Sequence, residues 1–540
     1  MSGAPDRVLA PDQALEVPAA SGEVLLRPSG DLRTVARANA AGLDAAHLAP
    51  LDLDLALLRR EARTEALLLA RRYTAALGLA VPGGADAEAP DLLFVTGHQP
   101  VFPHPGIWVK YLLLDRLARP GAPGLVVVVD SDAMDDLAVE VPALAVETAP
   151  GLPRLVERRR EVLRHGSPDR PYEGQPPPDE AEWAGFLERV GRHLATLPNP
   201  ELHRRWAAFT ALGRPQADSL AAFLTVLRRR YEGPRRLLDL PVSLLAGTAA
   251  FRRFVLAVAR DARRFAEIHN RHLEAYRARH RIRTTAQPFS NLEVAGDQVE
   301  LPFWCLVEGR RARLVADLAR HRWGPDGEAL VPIPSGPHAP EFDALPVRPR
   351  ALTLTAFVRL CLADLFVHGV SGGRYDRVTD AVVQEYFQVV PPAYAVASAT
   401  LHLPLGGATD PTAARQALQR ALQDARHNPE RLLAAPTPAQ RALIEEKWRL
   451  IARLREDPLT RRERRAATQA IRRINAQLAE GMRAHAAALE AALARVEAPG
   501  TQDAVTYRGY PFFLFPVEEV DALVDRMVES SERGPGGREP

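Results

Sequence analysis

Cysteine is nearly absent from this 540-residue chain: Cys305 and Cys361 are the only two. That is too few for a disulfide framework or a cysteine-built zinc site, so two buried thiols in a reducing, cytoplasmic setting are expected. Charge of one sign is missing too. The 69 basic and 67 acidic residues nearly cancel, so no global field recruits nucleic acid and no nucleic-acid partner is expected. Long apolar runs are lacking: "LLDLPVSLLAG" is broken by Asp and Pro, and no membrane span is expected. The first twenty residues have no basic stretch followed by an apolar one, so no signal peptide is read there. Lysine is the last scarcity. Lys110 and Lys447 are the only lysines in a chain that otherwise writes its cations as arginine.

What is present is ordinary globular material, 46% hydrophobic and 25% charged, long enough for two or three domains. Residues 1–90 read as an N-terminal helical arm, ended by "VPGGADAEAP". From 91 to 150, "DLLFVTG", a Pro- and Gly-rich loop, "GIWVKYLLLDRLAR" and "GLVVVVDSDA" spell strand, loop, helix, strand. That is one βαβ unit of a parallel sheet. Residues 151–290 read as a mostly helical, Arg-rich insertion, including "LVERRREVLRHG". Residues 291–409 return to α/β character, with turns at Gly296-Asp297 and Gly309. Between 410 and 498, Asp410-Pro411 and the capping boxes Thr437–Gln440 and Thr460–Glu463 announce helices. Apolar residues at 3-4 spacing there predict an antiparallel helical hairpin and a homodimer through it. The aromatic "YRGYPFFLF" of 499–540 is expected to pack back on the core, ahead of a frayed tail.

Two clusters carry candidate chemistry. The first follows the first strand, where a parallel sheet places ligands and where a helix N-terminus favours anions. Pro105-Gly106 suits a helix start, and Lys110 could reach back toward it as a movable cation for phosphate. A surface lysine would write the same residue. His98 and His104 admit three readings: proton donor to a ligand, metal ligands with Asp130 or Asp132 as the third, or packed loop histidines. Asp130 and Asp132 end the next strand, where ribose, amine or metal contacts fall. The second cluster joins Arg348 and Arg350 to "HGVSGGRYD", His368 to Asp376. Gly369, Gly372 and Gly373 before a helix could cradle an anion, with Arg374 as bidentate donor. A plain Gly-rich turn would also read so.

Taken in this order, the clusters resemble the bacillithiol-biosynthesis cysteine-adding enzyme family. Its Gly-Gln-Gln, Gly-Leu-Phe, Gly-Pro and helical Lys are similar to Gly97, His98, Gln99, Phe102, Pro105, Gly106 and Lys110. Its acidic strand end matches Asp130-Ser131-Asp132. Its Arg-Pro and Gly-Gly-Pro-Gly-Glu elements resemble Arg348-Pro349 and Gly372-Gly373-Arg374-Tyr375-Asp376. His98 stands where the family has Gln, which marks a diverged relative. The resemblance implies an α/β fold: a Rossmann-like parallel-sheet core with helical insertions and a C-terminal antiparallel coiled-coil hairpin that dimerises. It implies a ligase joining a small amine or thiol-bearing amino acid to a sugar-linked or carboxylate acceptor, with a nucleotide as candidate cofactor and no metal. Catalysis would fall to His98, Lys110, Asp130 and Asp132. Binding would fall to Gly97, Gln99, His104, Gly106, Arg348, Arg350, His368, Gly372, Gly373, Arg374, Tyr375 and Asp376. A non-catalytic anion-binding scaffold and a metal-dependent hydrolase using His98, His104 and Asp132 are the other expectations.

Overall fold

The computed structural model describes residues 15–83, 91–119, 123–144, 155–284, 289–405, 411–433, 435–498 and 503–532. Its centre is a mixed, mostly parallel sheet of strands β1 (Val24–Arg27), β2 (Phe94–His98), β3 (Gly124–Val128), β4 (Leu237–Pro241), β5 (Leu365–His368) and β6 (Ala395–Ala399), in the order β1-β6-β5-β2-β3-β4. Only β1 runs antiparallel among these six, with Val24 opposite Ala399. Both faces are covered, which is why the strands read as unbroken apolar runs. Alternate residues divide between two cores: Val95, Leu125, Val127 and Leu238 enter one, and Phe94, Val126, Leu237 and Leu365 enter the other.

The chain steps from β2 outward to β3 and β4, then returns to the other side of β2 for β5 and β6. The order therefore reverses between β2 and β5. Beyond the carboxyl ends of two strands at such a reversal, the outgoing connections part and leave a crevice.

Three sequence expectations change. The 151–290 segment is not merely a helical insertion, because its residues 237–241 form core strand β4. "VERRREVLR" (Val156–Arg164) is a strand paired with Leu137–Leu144 rather than a helix. Its arginines point to solvent or to acidic neighbours, and the cross-strand partner overrides its helix-friendly composition. The N-terminal arm supplies edge strand β1 as well as helices Leu32–Asp44 and Leu55–Ala76.

A second, antiparallel sheet is built around Gln298–Val307 and Arg310–Asp317, with Val347–Pro349 on the other edge of the first. Glu308 and Gly309 join the two strands with φ of 49° and 74°, the paired positive values of a tight hairpin. The register slips between Glu300 and Trp304.

Helices Pro438–Glu456 and Arg461–Glu480 each begin with a complete capping box, on Thr437 and Thr460. They pack on each other, and Pro411–His427 packs on Arg483–Glu497. Arg461–Glu480 and Arg483–Glu497 are separated at Gly481-Met482. Asp410, the expected cap of the first, lies outside the described residues. Phe512 and Phe513 return to the core against Trp108 and Phe209. Among the described residues no helix is long and apolar enough to cross a membrane.

Candidate functional site

A cavity of about 280 Å³ opens at the β2/β5 reversal. Gly97 and His98 end β2, Gln99 follows, and Ser131 and Asp132 follow β3. From the β5 side come Phe366 and His368, then Gly372, Tyr375, Asp376 and Thr379 of the next helix. The second sheet closes the space with Trp304 and Arg311, and Arg350 and Leu354 line it from the segment beyond. The two sequence clusters, some 260 residues apart, thus face one hollow.

Several expected site residues turn elsewhere. Helix α1 (Pro105–Leu117) does start at Pro105, but its N-terminus is filled by protein. His104 Nδ1 accepts from the Gly106 N–H at 3.1 Å, and Arg508 donates to Ala399 O and Ser398 Oγ beside it. A Cβ on Gly106 would strike Arg508 and come within 2.9 Å of Ala399 O. The close approach that requires glycine there is made by the chain, not a ligand. Lys110 is buried and donates from Nζ to Gly97 O at 3.1 Å. Burial lowers its pKa to about 8. It props the end of β2 from behind and does not line the cavity, so the phosphate-binding role fails.

Asp130 is also buried, receiving Ser243 N–H at 2.9 Å and Ser243 O–H at 2.5 Å. Burial, only partly offset by these bonds, raises its pKa to about 6. Arg348 is spent on Glu173, and Arg374 on the carbonyl of Leu15. Gly372 and Gly373 are not a loop before a helix. They lie in the first turns of α2 (Val370–Val382), and Gly373 packs against Val396. His104, Gly106, Lys110, Asp130, Arg348, Gly373 and Arg374 therefore leave the lining. With His104 turned into a helix cap, the metal reading loses a ligand. Among the described residues no group of three or more His, Cys, Asp or Glu is placed to hold a metal ion.

The residues that remain form a connected polar wall. His98 Nδ1 lies 3.1 Å from Gln99 O. A carbonyl only accepts, so Nδ1 carries the proton and Nε2 keeps a lone pair. Burial, then the charge of Lys110, lowers the His98 pKa to about 3, so this ring stays neutral at ordinary pH. Gln99 Nε2 donates to Asp132 at 2.9 Å, and Asp132 also accepts from Arg311 at 2.9 Å. Arg311 and Arg350 both stack on Trp304, at 4.8 and 4.0 Å from its ring centre. Arg350 binds Glu300 at 2.6 Å. Opposite them, His368 Nε2 is 2.8 Å from Asp376 Oδ2, which Arg359 also reaches at 2.6 Å. Burial would raise the Asp376 pKa, but Arg359 and His368 overcome it and hold it near 2.

Trp304, Arg311, Phe366 and Arg359 were not found from the sequence. Trp304, Arg311 and Phe366 lie in ordinary strands, the π-helical winding around Arg359 has no sequence signature, and no spacing rule ties a hairpin near 304–311 to a loop at 97–99. No protein-family model matches this sequence, and no curated protein matches it.

Proposed function

We propose that this chain is an enzyme on a Rossmann-like scaffold that joins a small amine or thiol-bearing amino acid to a sugar-linked or carboxylate acceptor. The motif resemblance to the bacillithiol cysteine-adding family names the reaction class. The observation that carries the reading is the meeting of both motif clusters, through His98, Gln99, Asp132, Arg350, His368 and Asp376, around one cavity at the strand-order reversal.

Each wall has work in such a reaction. The bare Nε2 of His98 can accept a hydrogen bond from an incoming ammonium and orient it. Asp132, shared between Gln99 and Arg311, can hold that ammonium in place. Arg350 and Arg311, stacked on Trp304, offer further N–H donors for an acceptor carboxylate beside their Glu300 and Asp132 pairs. The volume lies just under the roughly 300–1,000 Å³ of drug-sized ligand pockets. That suits a compact two-part substrate better than a whole nucleotide, which would extend beyond the cavity.

The test is to mix the protein with cysteine and amino-sugar glycosides, with and without nucleoside triphosphate, and to look by mass spectrometry for a product equal to both reactants less one water. His98→Ala and Trp304→Ala should lose it. Absence of product, together with no calorimetric binding of either reactant class, overturns the reading.

Assembly belongs to the same proposal. Trp448, 49% exposed, lies between the partly buried Ile444 and Ile451 on one side of Pro438–Glu456, a seam at 4-3 spacing that suits a coiled-coil homodimer. Light scattering should show a dimer, and Trp448→Glu should return it to monomer.

A further inference from the structure

We propose that His368 is the proton acceptor of this cavity, a general base for a substrate N–H, O–H or S–H, with Asp376 fixing its tautomer and Arg359 fixing Asp376. The proposal rests on the cavity being catalytic, and it adds a group to which the motif resemblance gives only a binding role.

Proton placement follows from the geometry. A carboxylate offers no hydrogen, so the 2.8 Å contact between His368 Nε2 and Asp376 Oδ2 puts the ring proton on Nε2. In the neutral imidazole Nδ1 then keeps the lone pair. Asp376 cannot swing away, because Arg359 Nη1 holds the same oxygen at 2.6 Å, while Arg359 Nη2 reaches Asp380 at 2.7 Å and the Pro392 carbonyl. Arg359 itself sits in a π-helical stretch, Val358–Leu362, a wider winding that is rare and recurs at functional sites.

Gly372 supplies an independent observation. It occupies the first turns of α2 and lines the cavity, where alanine would serve the helix better. A Cβ there would lie 2.8 Å from His368 Nδ1. The missing side chain leaves the one free ring nitrogen uncovered. His98, on the neighbouring strand end, presents the mirror arrangement, with Nδ1–H given to Gln99 O and Nε2 bare. Two imidazoles of opposite tautomer thus end adjacent parallel strands around one hollow.

In the reaction, the substrate X–H bond breaks as X bonds to the acceptor carbon, and the proton passes to Nδ1. The imidazolium keeps its Nε2–H on Asp376. It then returns the Nδ1 proton to the acceptor's departing hydroxyl, which leaves as water as the C–O bond breaks, so neither proton nor electron is consumed overall.

Carbethoxylation by diethyl pyrocarbonate, mapped by mass spectrometry, tests the proposal without any substrate, since on a histidine the reagent adds only to a ring nitrogen with an accessible lone pair. His368 should be labelled in the wild-type protein. In Gly372→Ala its labelling should slow by at least about tenfold, the exposed His321 serving as control in both proteins. On turnover, Asp376→Asn and Gly372→Ala should each lower kcat by about a hundredfold with little change in KM, a split that a purely structural pair would not produce. An unlabelled His368 beside a labelled His321, or Gly372→Ala labelled as fast as wild type, overturns the proposal. Labelling as expected without any coupled product leaves the dyad standing and removes the ligase reading instead.

Discussion

Helices α1 and α2 follow neighbouring parallel strands, β2 and β5, and each carries a glycine in its opening turns, yet they end in opposite ways. The α1 terminus is closed: His104 caps it, and Arg508 with the Ala399 carbonyl crowds Gly106. The α2 terminus is open, since its cap residue Gly369 contributes no side chain and Gly372 borders the cavity. The pair teaches that a strand–glycine–helix motif marks a place for close approach without saying what approaches. Protein occupies one such place, and an imidazole with its cavity occupies the other.

The largest test of the contrast is Arg359→Ala at the open end. It strands the buried carboxylate of Asp376 and the partly buried one of Asp380, and should cost about 3–5 kcal/mol in urea unfolding. A loss under 1 kcal/mol, on the order of an exposed ion pair, would mean the clamp is not what orders that end.

Asp130, behind β3, gives a control of opposite sign. Its folded pKa of about 6 lies above the ordinary 3.8, so the folded state binds the proton more tightly than the unfolded one. Stability from this group is full below pH 3.8 and falls as pH rises to about 6. Asp130→Asn keeps both Ser243 contacts without the buried charge. It should therefore gain up to about 3 kcal/mol at pH 8, at about 1.4 kcal/mol per pH unit, and nothing at pH 3.5. Equal gains at both pH values would refute that account.

At the closed end, Gly106→Ala should lose about 1–3 kcal/mol through overpacking, read as a lower melting temperature, with ligand affinity intact. Lys110→Met should do least. Its ammonium serves the Gly97 carbonyl, so calorimetry should find ligand affinity changed by less than about twofold. A tenfold loss would put the lysine back in the site.

Local grammar was legible in the sequence. The βαβ unit around 91–128, the capping boxes at Thr437 and Thr460 and the turns at Gly296 and Gly309 are written in a few adjacent residues, and the structure has them there. Of the candidate site, Gly97, His98, Gln99, Asp132, Arg350, His368, Gly372, Tyr375 and Asp376 reach the cavity. The sequence tells which residues end a strand but not which way a long side chain leans. Lys110 leans onto a backbone carbonyl, and Arg374 onto Leu15. Arg311 and Trp304 arrive from a separate sheet, and β4 lies hidden among helices because a buried five-residue run looks alike in either setting.

The β1 edge has a bearing on how the chain is made. Val24 waits on Ala399 for its ladder partner, so a ribosome must deliver the whole stretch between them before β1 can dock. Until then the segment is a tethered guest without a seat. Ordering of the β6 border waits on the most sequence-distant pairing in the sheet.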